Sequence, residues 1–330
     1  MKKHANISIF VTHLGCPQQC SFCNQRYIAR TLTQPTKETI DEAVKITLSS
    51  KNYDPESTEI AFFGGSFTAI DRDYMISLLE AAWEYVKNGT VKGIRISTRP
   101  DAINPEILKI LKKYGVTAIE LGAQSLSDEV LALNRRGHTA KDVETASLLI
   151  KQEGFSLGLQ MMTGLLGDSD EKSIETARKI IEFAPDTVRI YPTIVLEDTY
   201  LGELYKAGEY SPQDLESAVR LTLELLQMFS ASGISVIRTG LHTIDEEKYL
   251  AGPWHPAFRE LCDAQVYLEI AKNTLNEQGE YIIYVKKGSL SKMSGQKRKN
   301  VQALKQLGFN CKIAEDEALK DFEIKVERVG

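Results

Sequence analysis

Short apolar runs alternate with amphipathic helical stretches along this chain up to about Leu241. The runs Ile7–Val11, Glu59–Phe63, Gly93–Ser97, Ala118–Leu121, Leu157–Met161 and Val188–Tyr191, with a later one at Ser235–Ile237, are rich in Ile, Val, Leu and Phe. Such brief apolar segments fit buried parallel strands. Between them lie helical stretches at Lys37–Ser49, Asp73–Val86, Pro105–Tyr114, Lys141–Glu153, Ser173–Phe183 and Leu215–Ser230. Asn104-Pro105 is a helix start signal, and Gly115, Gly154 and Gly233 sit where left-handed caps end helices. Repeated strand-then-helix units predict an α/β fold with helices packed outside a parallel sheet, a full or partial (β/α) barrel of TIM-like type. In that architecture chemistry collects at the C-terminal ends of strands.

The unusual segments of the sequence fall at those ends. Cys16–Cys23 follows the first run, Gly64-Gly65-Ser66-Phe67-Thr68 the second, and Thr98-Arg99-Pro100-Asp101 the third. Gly122-Ala123-Gln124-Ser125 follows the fourth, Thr163-Gly164-Leu165-Leu166-Gly167 the fifth and Pro192-Thr193 the sixth.

Three of the five cysteines, Cys16, Cys20 and Cys23, form a C-x3-C-x2-C motif. An odd, clustered set with no secretion signal ahead of it argues for ligation rather than disulfides. Three thiolates from one loop can hold three irons of a cubane cluster and leave the fourth iron open. A zinc site completed by His13 is the alternative, but structural zinc loops pair two distant knuckles, and no second knuckle follows. The spacing resembles that of radical SAM enzymes. The resemblance implies a [4Fe–4S] cluster on Cys16, Cys20 and Cys23, with S-adenosylmethionine (SAM) chelated at the open iron. It further implies Phe22 near the adenine, Gly64, Gly65 and Ser66 at the methionine end, and an electron donor such as ferredoxin or flavodoxin. Gln124, with Ser125, is a candidate for the SAM carboxylate or ribose, and Gly164 and Leu166 for the adenine; ordinary turn and rim packing is the bland reading of each. Arg99 and Asp101 read equally well as a surface ion pair.

Further segments narrow the resemblance. Phe63–Thr68, Ser97–Asp101, Glu120–Ser125, Asn134-Arg-Arg-Gly-His-Thr139, Met162–Gly167, Arg189–Val195 and Leu204–Tyr210 resemble the radical SAM domain of the Elongator catalytic subunit and its bacterial relatives, over roughly residues 5–240. That implies a role in RNA modification, with tRNA as the substrate class. The sequence holds no stretch resembling the acetyltransferase domain of that subunit, so the acetyl-CoA reaction does not carry over. The x3 spacing between the first two cysteines is also shorter than in the Elongator subunit.

The pattern changes after Leu241, and the expected division is a barrel over 1–245 and a linker helix with a small basic α+β domain over 246–330. Gly252-Pro-Trp-His-Pro256 reads as a rigid turn, followed by a helix at Ala257–Leu275, a strand at Tyr281–Val285, a helix at Val301–Leu307 and strands at Asn310–Ile313 and Phe322–Val326. No acidic residue lies between Glu280 and Glu315, a stretch containing Lys286, Lys287, Lys292, Lys297, Arg298, Lys299, Lys305 and Lys312. Gly295-Gln-Lys-Arg298, between two helical stretches, resembles the GXXG loop of a KH core with its second glycine replaced. The expectation is RNA contact through Lys297, Arg298 and Lys299, against the simpler reading of a solvated basic face. The formal net charge of −5 carries no global nucleic-acid signature. With no membrane-length apolar run and no targeting segment, the sequence reads as a cytoplasmic enzyme. An RNA-binding protein with a structural or redox-sensing cluster is the rival reading.

Overall fold

The computed structural model describes residues 4–11, 16, 19–23, 33–241, 244 and 246–329. His13, the zinc candidate, lies outside them. Among the described residues seven strands form one parallel sheet: β1 (Ala5–Val11), β2 (Thr58–Gly64), β3 (Gly93–Thr98), β4 (Val116–Gln124), β5 (Ser156–Thr163), β6 (Thr187–Pro192) and β8 (Ser235–Thr239). Their spatial order is their chain order, β1-β2-β3-β4-β5-β6-β8. The sheet is a half-barrel, so of the two expected forms the partial barrel is the one adopted. The two-residue β7 (Val195–Leu196) stands outside it and pairs antiparallel with β9 (Tyr249–Ala251) in a separate two-stranded sheet.

Alternation sorts the two faces of each strand. Ile7 and Ile9, Ile60 and Phe62, Ile94 and Ile96, Ile119 and Leu121, Leu157 and Leu159, and Val188 and Ile190 all enter one buried core. Against them pack α1 (Lys37–Leu48), α2 (Arg72–Lys87), α3 (Pro105–Lys113), α5 (Ala140–Gln152), α6 (Asp170–Glu182) and α8 (Leu215–Ala231). The opposite face carries the polar and charged residues that line the concave side. Helix starts follow the expected chemistry: the Asn104 side chain accepts from the Ile107 N–H, and Pro105 occupies the first turn. Gly115, Gly154 and Gly233 take φ values of 71°, 80° and 71°, the left-handed conformation that ends a helix.

Two short helices at the rim, α4 (Asp128–Leu133) and α7 (Tyr200–Lys206), were not anticipated from periodicity. Each has fewer than two turns, too few for an apolar stripe to stand out.

The C-terminal part builds a separate mixed sheet. In it β10 (Gly279–Lys286) pairs in parallel with β11 (Phe309–Asp316) and antiparallel with β12 (Ile324–Arg328). Helices α9 (Phe258–Thr274), α10 (Leu290–Ser294) and α11 (Lys299–Gln306) cover it. Helix α9 serves both parts. Its Phe258 and Cys262 pack with Ala218 of α8, whereas Tyr267, Leu268 and Ala271 join Ile283, Val285, Met293 and Leu304 in a second core.

Candidate functional site

The cysteine loop leaves β1 at the C-terminal edge of the sheet. Cys16 is exposed, Cys20 buried and Cys23 half-buried. Burial, followed by the proximity of Cys20 and Cys16, pushes the Cys23 thiol up to about 12. Cys20 and Cys16 therefore both lie within electrostatic range of Cys23. Among the described residues no three His, Cys, Asp or Glu side chains converge on a point where a single metal ion would sit.

Two neighbours hold the loop. The Ser21 carbonyl accepts from the Leu201 N–H of α7 at 2.8 Å, and the Ser21 N–H donates to the Asn134 carbonyl at 3.1 Å. Asn134, completely buried, ends α4 and opens the segment Asn134–His138. Its Oδ1 accepts from Ser21 Oγ at 2.6 Å and from the Leu166 N–H at 3.3 Å. Its Nδ2 donates to the carbonyls of Val130 (2.8 Å) and Leu166 (2.9 Å). One side chain thus ties the cysteine loop to the loop after β5.

Arg136 follows two residues later and is 8% exposed. Its Nη1 donates to Cys20 Sγ and its Nη2 to the Gly122 carbonyl, both at 2.9 Å. Its Nε is buried with no partner among the described residues. Arg99, 5% exposed, donates through Nη2 to the Arg136 carbonyl and pairs with Asp101 at 2.5 Å. The Arg99–Asp101 pair is thus built into the site rather than onto the surface. Burial disfavours the charge of Arg99, but the contact with Asp101, with Cys20 and Cys16 adding to it, raises its pKa on balance. Two buried guanidinium groups beside three cysteines suit a cluster whose thiolate ligands carry net negative charge. The donor set and its surroundings fit the group that the motif implies.

The other candidate residues line the same rim. Gly64 has φ +109°, and a Cβ there would sit 2.8 Å from the Val11 carbonyl oxygen, so only glycine closes this turn. The Gly65 N–H already donates to that carbonyl at 2.6 Å and is not left to bind a ligand. Ser66 Oγ lies 3.8 Å from Cys16 Sγ. Gln124, at a bulge between β4 and β5, holds a left-handed backbone (φ 63°) and accepts at Oε1 from Gln160 Nε2. A left-handed non-glycine residue costs about 1–2 kcal/mol and marks a position where the side chain is aimed for a purpose. The Gly164 carbonyl accepts from Tyr210 at 2.5 Å. Phe22 and Leu166 share an apolar cluster with Val195, Leu201 and Tyr210. All the candidates except the C-terminal basic residues therefore gather at one rim.

The motif reading assigned no role to Asn134, Arg136 or the concave face of the sheet. There, Arg95 bridges Glu59 (2.8 Å) and Glu120 (3.2 Å), and Arg189 binds Glu120 at 2.7 Å. The Arg189 guanidinium stands 5.5 Å from the Phe63 ring centre. The signal was present: Glu59, Arg95, Glu120 and Arg189 interrupt strands expected to be apolar on both faces.

The basic C-terminal segment resolves differently from its sequence. Lys286, Lys287 and Lys292 are paired with Asp321, Glu317 and Asp263. Lys297, Arg298 and Lys299 are exposed at the turn between α10 and α11. Lys297 and Arg298 both hold left-handed backbone, φ 52° and 62°. Arg298 thus takes a glycine-like conformation where the second glycine of the resembled loop would be.

An open parallel barrel with a three-cysteine loop at its strand ends defines a cofactor enzyme that works at one rim of the sheet. The model of the Radical SAM superfamily matches residues 10–180, and that of the Radical_SAM C-terminal domain matches 185–269. The chain belongs to the radical SAM superfamily of enzymes, a membership that implies a [4Fe–4S] cluster and SAM. It is similar to the tRNA uridine(34) acetyltransferase of Dehalococcoides mccartyi (strain CBDB1), 27% identical over 62% of this chain and 52% of that protein. It is also similar to Elongator complex protein 3 of Homo sapiens, 34% identical over 54% of this chain and 37% of that protein. The chain thus spans about a third to a half of these relatives' lengths. In fold it resembles Elp3 of the archaeon Methanocaldococcus infernus lacking residues 1–46, with a TM-score of 0.61 and 22% identity, covering 85% of this chain and 66% of that one. Among the described residues no helix is long and apolar enough to cross a membrane.

Proposed function

We propose that Cys16, Cys20 and Cys23 hold the [4Fe–4S] cluster, that the surrounding rim residues hold SAM, and that the enzyme modifies RNA, with tRNA as the substrate. When bound, the cluster supplies the electron that cleaves SAM to methionine and a 5′-deoxyadenosyl radical. Around it, Gly64 and Ser66 shape the cradle for the methionine end. Gln124, at the end of β4, offers its amide to the SAM carboxylate or ribose, and Gly164, Leu166 and Phe22 form an apolar wall for the adenine. Arg136 is the observation that carries the cluster reading. A guanidinium this buried, bonded to a cysteine sulfur and with no carboxylate partner among the described residues, needs a negatively charged neighbour.

The RNA reading draws on the two relatives named above and on the loop of Lys297, Arg298 and Lys299, which holds exposed cations on a strained turn. A barrel over 1–245 and a basic unit over 246–330 is the division this reading uses, with a ferredoxin or flavodoxin as electron donor.

The test is anaerobic. Reduced, reconstituted protein should release 5′-deoxyadenosine, and Cys23→Ala should not. Nucleoside mass spectrometry of RNA from cells with and without the gene should reveal one missing modified nucleoside. Reversing the charge of Lys297, Arg298 and Lys299 should weaken tRNA binding. Tight RNA binding with no SAM cleavage would overturn the enzyme reading in favour of a cluster-bearing RNA-binding protein.

A further inference from the structure

Arg189 and Arg238 are register partners on neighbouring strands of the concave face. An extra residue in β8, Ile237, brings this about: Val236 stays opposite Val188 on the helix side, and the shift sets Arg238 opposite Arg189. Thr239 turns back to the helix side, where it accepts from Arg259 of α9.

Among the described residues charge on this face does not balance. Arg95 lies between Glu59 and Glu120, and Arg189 shares Glu120. Two carboxylates thus serve three guanidinium groups, and Arg238 is the one left over. Among the described residues it has no ion pair or hydrogen bond, and its Nε is buried without a partner. A buried N–H left unsatisfied costs about 1–3 kcal/mol. Structures keep such a group when something else completes it. A planar guanidinium fork is completed best by a carboxylate or phosphate, bound through two parallel N–H···O bonds.

The surroundings fit a substrate rather than a structural ion. Gln160 is the next register partner along the row from Arg189. Phe63 lies against Arg189, and Phe10, 40% exposed, has its ring centre 6.4 Å from that of Phe63. An apolar aromatic surface thus adjoins the arginine pair inside the half-barrel.

The geometry points to an oxyanion-binding subsite on the concave face, in which Arg238, flanked by Arg189, grips a phosphate or carboxylate group of the substrate. The assignment rests on reading the concave face as the chamber where substrate meets SAM. A nucleotide phosphate and a small carboxylate share this chemistry, and the experiment separates them.

The reconstituted full chain is treated anaerobically with phenylglyoxal, and modification is read arginine by arginine by mass spectrometry. The probes are uridine 5′-monophosphate, malonate and neutral uridine, and exposed Arg178 on α6 is the internal control. At a probe concentration about ten times its Kd, modification of Arg238 should slow about tenfold while Arg178 is unchanged. Protection by the nucleotide supports a phosphate-bearing substrate, and protection by malonate alone supports a carboxylate. No slowing with either anion, or equal slowing at Arg178, overturns the subsite. SAM cleavage with an unprotected Arg238 defeats the subsite alone. Protection without SAM cleavage or a missing nucleoside defeats the functional reading instead.

Discussion

Asn134→Asp replaces one amide nitrogen by oxygen at the residue that joins the cysteine loop to the loop after β5. The two bonds accepted by Oδ1, from Ser21 and Leu166, survive the change. The two donated by Nδ2 do not, and a carboxylate oxygen then faces the Val130 and Leu166 carbonyls. Two lost hydrogen bonds account for about 2–3 kcal/mol. Placing a charge at a fully buried position adds further cost, giving about 4 kcal/mol at pH 8. The penalty has a definite pH dependence. A protonated carboxyl can donate to one of the two carbonyls, so the new carboxyl titrates higher in the folded state than in the unfolded chain. Destabilisation should therefore shrink by up to about 1.4 kcal/mol per pH unit as pH falls below that raised value. Urea unfolding followed by circular dichroism at pH 8 and pH 5.5 measures both effects. Iron content after anaerobic reconstitution reports on the cysteine loop separately, and it should fall with the variant. A variant within about 1 kcal/mol of the parent at pH 8, with full iron content, would refute the view that Asn134 organises the site.

Gly64→Ala places a Cβ 2.8 Å from a backbone carbonyl at φ +109°, so we expect a loss of about 2–4 kcal/mol in denaturant unfolding and weaker SAM binding by calorimetry. Unaltered SAM affinity would remove Gly64 from the cradle. Glu120→Gln strips the carboxylate from Arg189 and one of two from Arg95, and should cost about 3–5 kcal/mol of stability, because a buried guanidinium is left uncompensated. A change below about 1 kcal/mol would show that water already solvates this face. Burial, with the nearby Arg136 charge, lowers the pKa of His138 to about 4 from an ordinary 6.5. The unfolded chain takes up this proton first, so His138 has no effect above pH 6.5 and a growing penalty down to pH 4, amounting to about 3 kcal/mol. His138→Phe should flatten the stability–pH curve in that window alone, and parallel curves would contradict the assignment.

Much of the barrel was readable because its signals are local. An apolar run of strand length, a capping Asn104 before Pro105 and a glycine after a helix each act within a few residues, and each element appears where those signals lie. Helices α4 and α7 escaped because so short a helix owes its existence to tertiary contacts: Ser21 docks on Asn134 and on Leu201. The cysteine motif was readable for the same reason, since its three side chains come from one loop. The basic run was only half readable. Lys286, Lys287 and Lys292 find acidic partners far away in sequence, whereas Lys297, Arg298 and Lys299, with Lys305 and Lys312, stay exposed with no ion pair among the described residues.

By itself the sequence determined the order of strands and helices, the end of the sheet at which the unusual segments gather, and the three-cysteine motif proposed to hold the cluster. Only the tertiary structure decided which groups face those cysteines. Arg136 reaches Cys20, Asn134 joins two loops, and Arg238 is left, among the described residues, without a carboxylate beside Arg189. Period and spacing act along the chain, whereas a buried charge takes its meaning from neighbours on other strands. Those neighbours are set by sheet register and a single inserted residue in β8.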